Sequence, residues 1–199
     1  SIMTTKTAKH TSNKWYQLKI YLLHIKPLIW RRFIVNSDIK LPDLHKVIQT
    51  VMGWTNTHLH QFVKDDIIYS EPDEDSLIEY VDYRKIKLNQ LLKKENQYIL
   101  YEYDFGDGWE HKIVLEKIIT EGDFPKHPVC IGGKRNCPPE DCGGPYGYLD
   151  LLKIISDPEN EEYDEMMEWL GGEFDPEYFD MELINDLLKS KNYGVISFY

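Results

Sequence analysis

The stretch "YILYEYDFGDGWEHKIVLE", Tyr98 to Glu116, decides the reading of the fold. Two runs of period-two alternation flank a cluster of turn residues, so the segment is predicted to be a β-hairpin. Taking Gly106-Asp107-Gly108 as a three-residue loop, with Gly108 as a left-handed bulge, sets Phe105 opposite Trp109 and Tyr103 opposite His111. Tyr101 then faces Ile113, and Ile99 faces Leu115. This makes one face aromatic and aliphatic throughout, while the other carries Glu102 against Lys112 and Asp104 against Glu110. A two-residue Asp-Gly loop would put Phe105 opposite Glu110 and mix the faces. The like-charged pair Asp104–Glu110 beside the turn hints at a nearby cation or a functional demand.

Upstream, Trp15 to Leu22 alternates as a half-buried strand, and "IWRRFIV" (Ile29–Val35) resumes as a second after Pro27. Leu44, Val47, Ile48 and Val51 fall at helical spacing, which predicts a helix from Pro42 to Met52 stopped by Gly53. "HLHQFVKDDIIYS" reads as strand, turn and strand, and Lys87–Lys93 as a short helix. Downstream the pattern turns helical at Tyr148–Ile155. Asp157-Pro158 and Asp175-Pro176 read as the starts of two further helices, the last running to about Lys189. The fold class is α+β: a mainly antiparallel sheet with one packed helix, followed by a C-terminal helical block. The organisation expected is a flexible arm over 1–14 and one domain over 15–199, strand-rich to 120, loop over 121–145 and helical over 146–190.

Composition bounds the function. The net charge of −11 hides an asymmetry: residues 1–60 carry +7, residues 61–199 carry −18, and Asp157 to Glu182 holds twelve acids and no Lys or Arg. An acidic whole argues against general nucleic-acid affinity, although Lys19, Lys26, Arg31 and Arg32 could form a local basic patch. No apolar run reaches the ~18 residues that would span a bilayer. Three cysteines without a secretory pattern point to a cytoplasmic protein with free thiols or a metal.

"PLIWRR", "LHKVIQTVMGWTNTHLHQF", "YDFGDGWEHKIVLE", "CPPEDCGGPYGY" and "WLGGEFDPEYFD" together resemble the plasmid pRiA4b ORF-3-like family, also labelled insertion-element passenger proteins. The resemblance spans Tyr16 to Leu188 and implies a compact prokaryotic α+β protein without an assigned activity. No serine- or tyrosine-recombinase motif accompanies it.

Three groups carry candidate chemistry. In "PPEDCGGPYGY" (Pro138–Tyr148) the glycines could leave N–H groups free for an anion, or serve only close packing at a helix start; Glu140 and Asp141 exceed what one cap requires. Cys130, Cys137 and Cys142, with His127, offer four ligands for structural zinc, although no C-x2-C knuckle is present. His58 and His60 would share a strand face, and Asp104, Asp107 and His111 could join them around a divalent metal. His111 lies on the apolar hairpin face, where a hydrogen-bonded core histidine is the commoner role. The leading expectation is a binding or interaction module for an unknown protein or small-molecule ligand. The alternative is a metal-assisted hydrolase, perhaps of phosphodiesters, built on His58, His60, Asp104, Asp107, His111, Glu140 and Asp141. A third is a nucleic-acid binder using the basic N-terminal third.

Overall fold

A computed structural model describes residues 14–195; the expected N-terminal arm, Lys14 apart, lies outside the described residues. The elements run β1 (Trp15–Leu22), β2 (Trp30–Asn36), α1 (Leu41–Met52), β3 (His60–Lys64), β4 (Ile67–Ser70), β5 (Val81–Asp82), α2 (Leu88–Leu91), β6 (Tyr98–Tyr103), β7 (Trp109–Ile119) and β8 (Val129–Lys134). They continue with α3 (Gly144–Ile155), α4 (Tyr163–Trp169) and α5 (Met181–Leu188). The strands form one sheet in the order β5-β4-β3-β6-β7-β1-β2-β8, antiparallel except at β4–β5. This is an α+β architecture. None of the described helices is long and apolar enough to cross a membrane.

The β6–β7 hairpin buries the face that the alternation predicts. Ile99, Tyr101, Tyr103, Trp109, His111, Ile113 and Leu115 are all buried. Its register differs from the expectation: Tyr103 faces Trp109, Tyr101 faces His111 and Ile99 faces Ile113. Asp104 takes a left-handed φ of 61° and its carbonyl accepts the Gly108 N–H at 2.6 Å, so the whole of Asp104–Gly108 is turn and Phe105 is exposed. A shift of two residues keeps each side chain on its face, which is why the faces survive the error. The like-charged cross-strand pair is therefore Glu102–Glu110, and burial followed by Glu110 pushes the Glu102 carboxyl above its usual range.

Helix α1 supplies Leu44, Val47, Ile48 and Val51 to the core shared with β1, β2, β6 and β7. Its end is closed twice. Gly53, at φ 111°, returns its N–H to Gln49 O. Arg31 of β2, only 2% exposed, donates Nε to Val51 O at 2.6 Å and Nη2 to Met52 O at 3.3 Å. A buried guanidinium here meets the negative end of the helix.

Three sequence expectations change. Val129–Lys134 is a strand, not loop, and edges the sheet beside β2. Asp157 and Asp175 do not start helices. Each folds its carboxylate onto a following N–H in a local turn, to Glu159 and Glu177, and the helices begin later at Tyr163 and Met181. The basic patch loses Arg31, which is buried, while Lys19 and Arg32 stand over the same Trp30 ring, Arg32 being held by Glu116 at 2.7 and 3.0 Å.

Candidate metal centre

Pairing of β3 with β6 sets His60 opposite Tyr103, and the Asp104 N–H continues the ladder to Leu59 O at 2.8 Å. The residues just before β3 and just after β6 are thereby neighbours, which brings His58 beside Asp104. The loop between β8 and α3 closes over them from the other side. Gly143 N donates to Asp107 Oδ2 at 3.2 Å. Gly144, at φ +73°, approaches so closely that a Cβ would collide with the Asp107 carbonyl. The glycines of "CGGPYG" thus serve close packing of loop on loop, and this seats Glu140 and Asp141 over the turn.

Four side chains converge. His58 Nε2 lies 2.7 Å from Asp141 Oδ1, 3.5 Å from Asp104 Oδ2 and 3.9 Å from Glu140 Oε2. Two of the carboxylates are held by one oxygen only. Asp104 Oδ1 accepts from Gly106 N at 3.1 Å and Asp107 N at 3.3 Å. Glu140 Oε1 accepts from Thr55 N at 2.9 Å, Tyr103 OH at 3.0 Å and Thr55 Oγ1 at 3.2 Å. The other Glu140 oxygen, Oε2, is buried with no hydrogen-bond partner among the described residues; His58 Nε2 is buried as well, and its 2.7 Å approach to Asp141 Oδ1 lacks the geometry of a hydrogen bond. Burial raises the Tyr103 phenol well above its usual range, so it remains a donor to Glu140. Asp141, like Asp104, holds a left-handed φ (60°), uncommon for any residue but glycine and more accessible to Asp than to most. Its side chain is 65% exposed and opens the cluster to solvent.

Three carboxylates around one imidazole leave an excess of negative charge in a partly desolvated place, which a cation would relieve. Ligand atoms at ~2.0–2.2 Å from a common centre lie about 2.8–3.1 Å apart in an octahedron and about 3.3–3.6 Å apart in a tetrahedron. Asp141 and Asp104, at 2.7 and 3.5 Å from His58 Nε2, are close to these values, and Glu140, at 3.9 Å, would have to move inward. One imidazole with carboxylates is a donor set for a borderline divalent ion.

The remaining sequence candidates go elsewhere. Asp107 braces the loop through Gly143. His60 is half-buried, stacks on His45 with ring centroids 3.4 Å apart, and meets Tyr83 OH at 2.7 Å. Strand β3 begins at His60, so the assumed strand alternation from His58 does not apply. His111 is fully buried, with Nε2 accepting from Trp54 Nε1 at 3.1 Å and Nδ1 against Tyr101 O at 3.1 Å, and burial lowers it to about 4. It is a neutral core histidine. The proposed cysteine zinc set does not assemble: among the described residues only His58, Asp104 and Asp141 bring three ligand-type groups within 4.8 Å. Cys130 sits in β8, and Cys137 is buried against Gly53. Burial and then Asp107 push the Cys142 thiol up to about 12. His127 lines a different cavity, beside Asn185 and Lys189. Thr55, Thr57 and Tyr103, which position the cluster, carry no sequence signal beyond their place in "GWTNTH" and on the hairpin face.

Cavities flank the cluster. One of about 320 Å3 opens on Asp141 between Leu151, Glu162, Glu165, Met166 and Trp169. Another of about 220 Å3 lies on the His58 side.

The fold and the sequence have relatives. A chain described as a protein of unknown function, MM3350 from Methanosarcina mazei Go1, has a crystal structure that matches with a TM-score of 0.77 and 40% identity, covering 85% of this chain and 96% of that one. The uncharacterized protein y4hQ of Sinorhizobium fredii is 39% identical over 160 residues, 78% of this chain and 80% of the relative. The family model described as "Plasmid pRiA4b ORF-3-like protein" matches residues 14–183. With nearly the whole described chain matched, the protein belongs to the plasmid pRiA4b ORF-3-like family.

Proposed function

We propose that His58, Asp104, Glu140 and Asp141 bind a divalent cation and that the protein is a metal-assisted hydrolase. One observation carries the reading: Glu140 has one oxygen saturated by three donors, while the other, buried, has no hydrogen-bond partner among the described residues and lies 3.9 Å from His58 Nε2. A carboxylate fixed in this manner is prepared for a ligand that the protein itself does not supply. A bound cation would bring the pKa of a coordinated water toward about 7. In hydrolysis of an ester or amide that water's oxygen would add to the acyl carbon, the bond to the leaving group would break, and that group would take the proton released from the water. Exposed Asp141 is placed to carry that proton. No Lys or Arg lines the cavity beside Asp141, which favours neutral or cationic acyl substrates over phosphodiesters.

A second reading, an interaction module whose loops the cation locks together, is favoured by exposed apolar side chains near the cluster. Metal analysis of purified protein, calorimetric titration with Zn2+ and Mn2+, and assay on chromogenic esters and amides separate the two. Stoichiometric metal with turnover lost in His58→Ala supports the hydrolase. Metal that only raises Tm supports the module. No binding of any divalent ion by folded protein overturns both.

A further inference from the structure

A groove of about 770 Å3 runs from Leu59 and Phe105 across β3 and β4 to the loop 71–80. Leu59 and Phe105, which adjoin His58 and Asp104 in sequence, form its near end; Leu77 and Ile78 form its far lip. All four are exposed, and Leu77 is wholly so. Such large apolar side chains gathered on one face are not needed for the core, which closes without them. Glu71, Asp73 and Glu102 stand among them, and no Lys or Arg lines the groove. Along its floor, β4 pairs with β5 only at Tyr69 and Ser70, so the outer edge of Ile67 and Ile68 has no strand neighbour among the described residues.

We infer that this groove binds an extended polypeptide segment in which apolar residues alternate with Lys or Arg. Three features select that occupant. Apolar contacts lie at an open lip and not around an enclosed chamber, a shape that covers a chain better than a small molecule, whose site buries most of its surface. The uniformly acidic lining complements basic side chains. The free edge of β4 offers main-chain hydrogen bonds to an extended partner. The groove stands on its own geometry, so binding is read without added metal; only the step from bound peptide to substrate rests on the hydrolase reading.

Fluorescence anisotropy with labelled octapeptides tests it, using alternating Leu/Lys, Leu/Glu and Ser/Lys sequences in EDTA. The Leu/Lys peptide is expected to bind at least about tenfold more tightly than either other peptide. The doubly substituted Leu77→Ser, Ile78→Ser protein, unchanged in charge and substituted only at exposed positions, is expected to lose about tenfold with its Tm unaltered. Equal binding of Ser/Lys and Leu/Lys would reduce the effect to general attraction by an acidic protein and overturn the inference. Equal binding by the substituted protein would overturn it as well. So would sedimentation showing a dimer that this double substitution dissociates, because the occupant would then be a second copy.

Discussion

His58 and His60, separated only by Leu59, belong to opposite kinds of polar environment. His60 enters a hydrogen-bonded network: its ring stacks on His45 and its Nε2 meets Tyr83, whose hydroxyl reaches Glu71 at 3.3 Å. His45 in turn meets Tyr101 OH at 2.7 Å and Asn56 Oδ1 at 2.9 Å. His58 enters a cluster with carboxylates on several sides and no hydrogen bond at Nε2. A satisfied buried network specifies architecture, whereas an orphaned one marks where something is missing. The contrast teaches that residue type and spacing nominate both histidines equally, and only the accounting of partners separates them.

The sharpest break of this comparison is a pair of alanine substitutions. His58→Ala is expected to weaken divalent-metal binding by at least about 100-fold while leaving the metal-free Tm unchanged or higher. His60→Ala is expected to cost about 2–4 kcal/mol in urea unfolding, through lost packing and the lost hydrogen bond to Tyr83, with metal affinity retained. Reversed results would invert the assignment.

Acid should act on the hydrogen-bonded network. Burial lowers His45 to about 4, and burial followed by His45 lowers His60 well below its ordinary value; His111 is also lowered to about 4. In the unfolded chain all three titrate near 6.5. Groups with depressed folded pKa values give stability that is complete above about pH 6.5 and is lost as pH falls toward about 4, because the unfolded chain takes up the protons first. Urea midpoints are expected to fall steadily from pH 7 to pH 5, on the order of a few kcal/mol in total. In His60→Ala the slope should be shallower. A flat profile would show that these rings are not held neutral.

Much of the fold was legible because apolar periodicity reports which face is buried, and burial tolerates errors of register. The hairpin faces and α1 follow from it. Register was not legible, since it depends on Asp104 taking a left-handed φ and lengthening the turn, a choice made by the packing of the loop above it. Strand β8 was missed because "IGGK" reads as loop; its pairing with β2 comes from tertiary context, with Gly133 lying against Arg31 and Phe179. At the candidate site, Asp104, Glu140 and Asp141 were nameable from Gly, Pro and acid clustering, and His58 from its spacing to His60. The hairpin face already pointed to a core role for His111, but nothing local showed that His60 would leave them, because its partners come from α1 and from Tyr83 after β5.

Glu140→Gln separates the charge of the cluster from its scaffold. The amide oxygen can still accept from Thr55 and Tyr103, while the freed position loses its negative charge. Metal affinity is expected to fall by about 10–100-fold. The metal-free Tm should rise by roughly 2–4 °C, as relief of about 1 kcal/mol of like-charge repulsion would give in a chain of this size. A lower Tm in the metal-free state would mean that the carboxylate is structural and that the second oxygen has a partner in solution.

The smallest effect tests whether the two environments are joined. Tyr103 lies on the same buried hairpin face as Tyr101, yet its hydroxyl points out of the core, accepting from Thr57 N at 3.0 Å and donating to Glu140 Oε1 at 3.0 Å. It is the bridge from the sheet to the cluster. Tyr103→Phe removes that oxygen and little else, leaving the ring to pack against Trp54 at 5.1 Å and His58 at 5.8 Å. One lost acceptor and one lost donor are expected to lower Tm by about 2–4 °C, near 1 kcal/mol. If Tyr103 positions Glu140 for a cation, metal affinity should also fall by about tenfold, as for other residues that orient a ligand. Thr55 still holds the same oxygen through its N–H and hydroxyl, so the loss should remain smaller than that of Glu140→Gln. A fall in Tm with unchanged metal affinity would show that the hydroxyl serves the fold alone and that Thr55 suffices to aim Glu140.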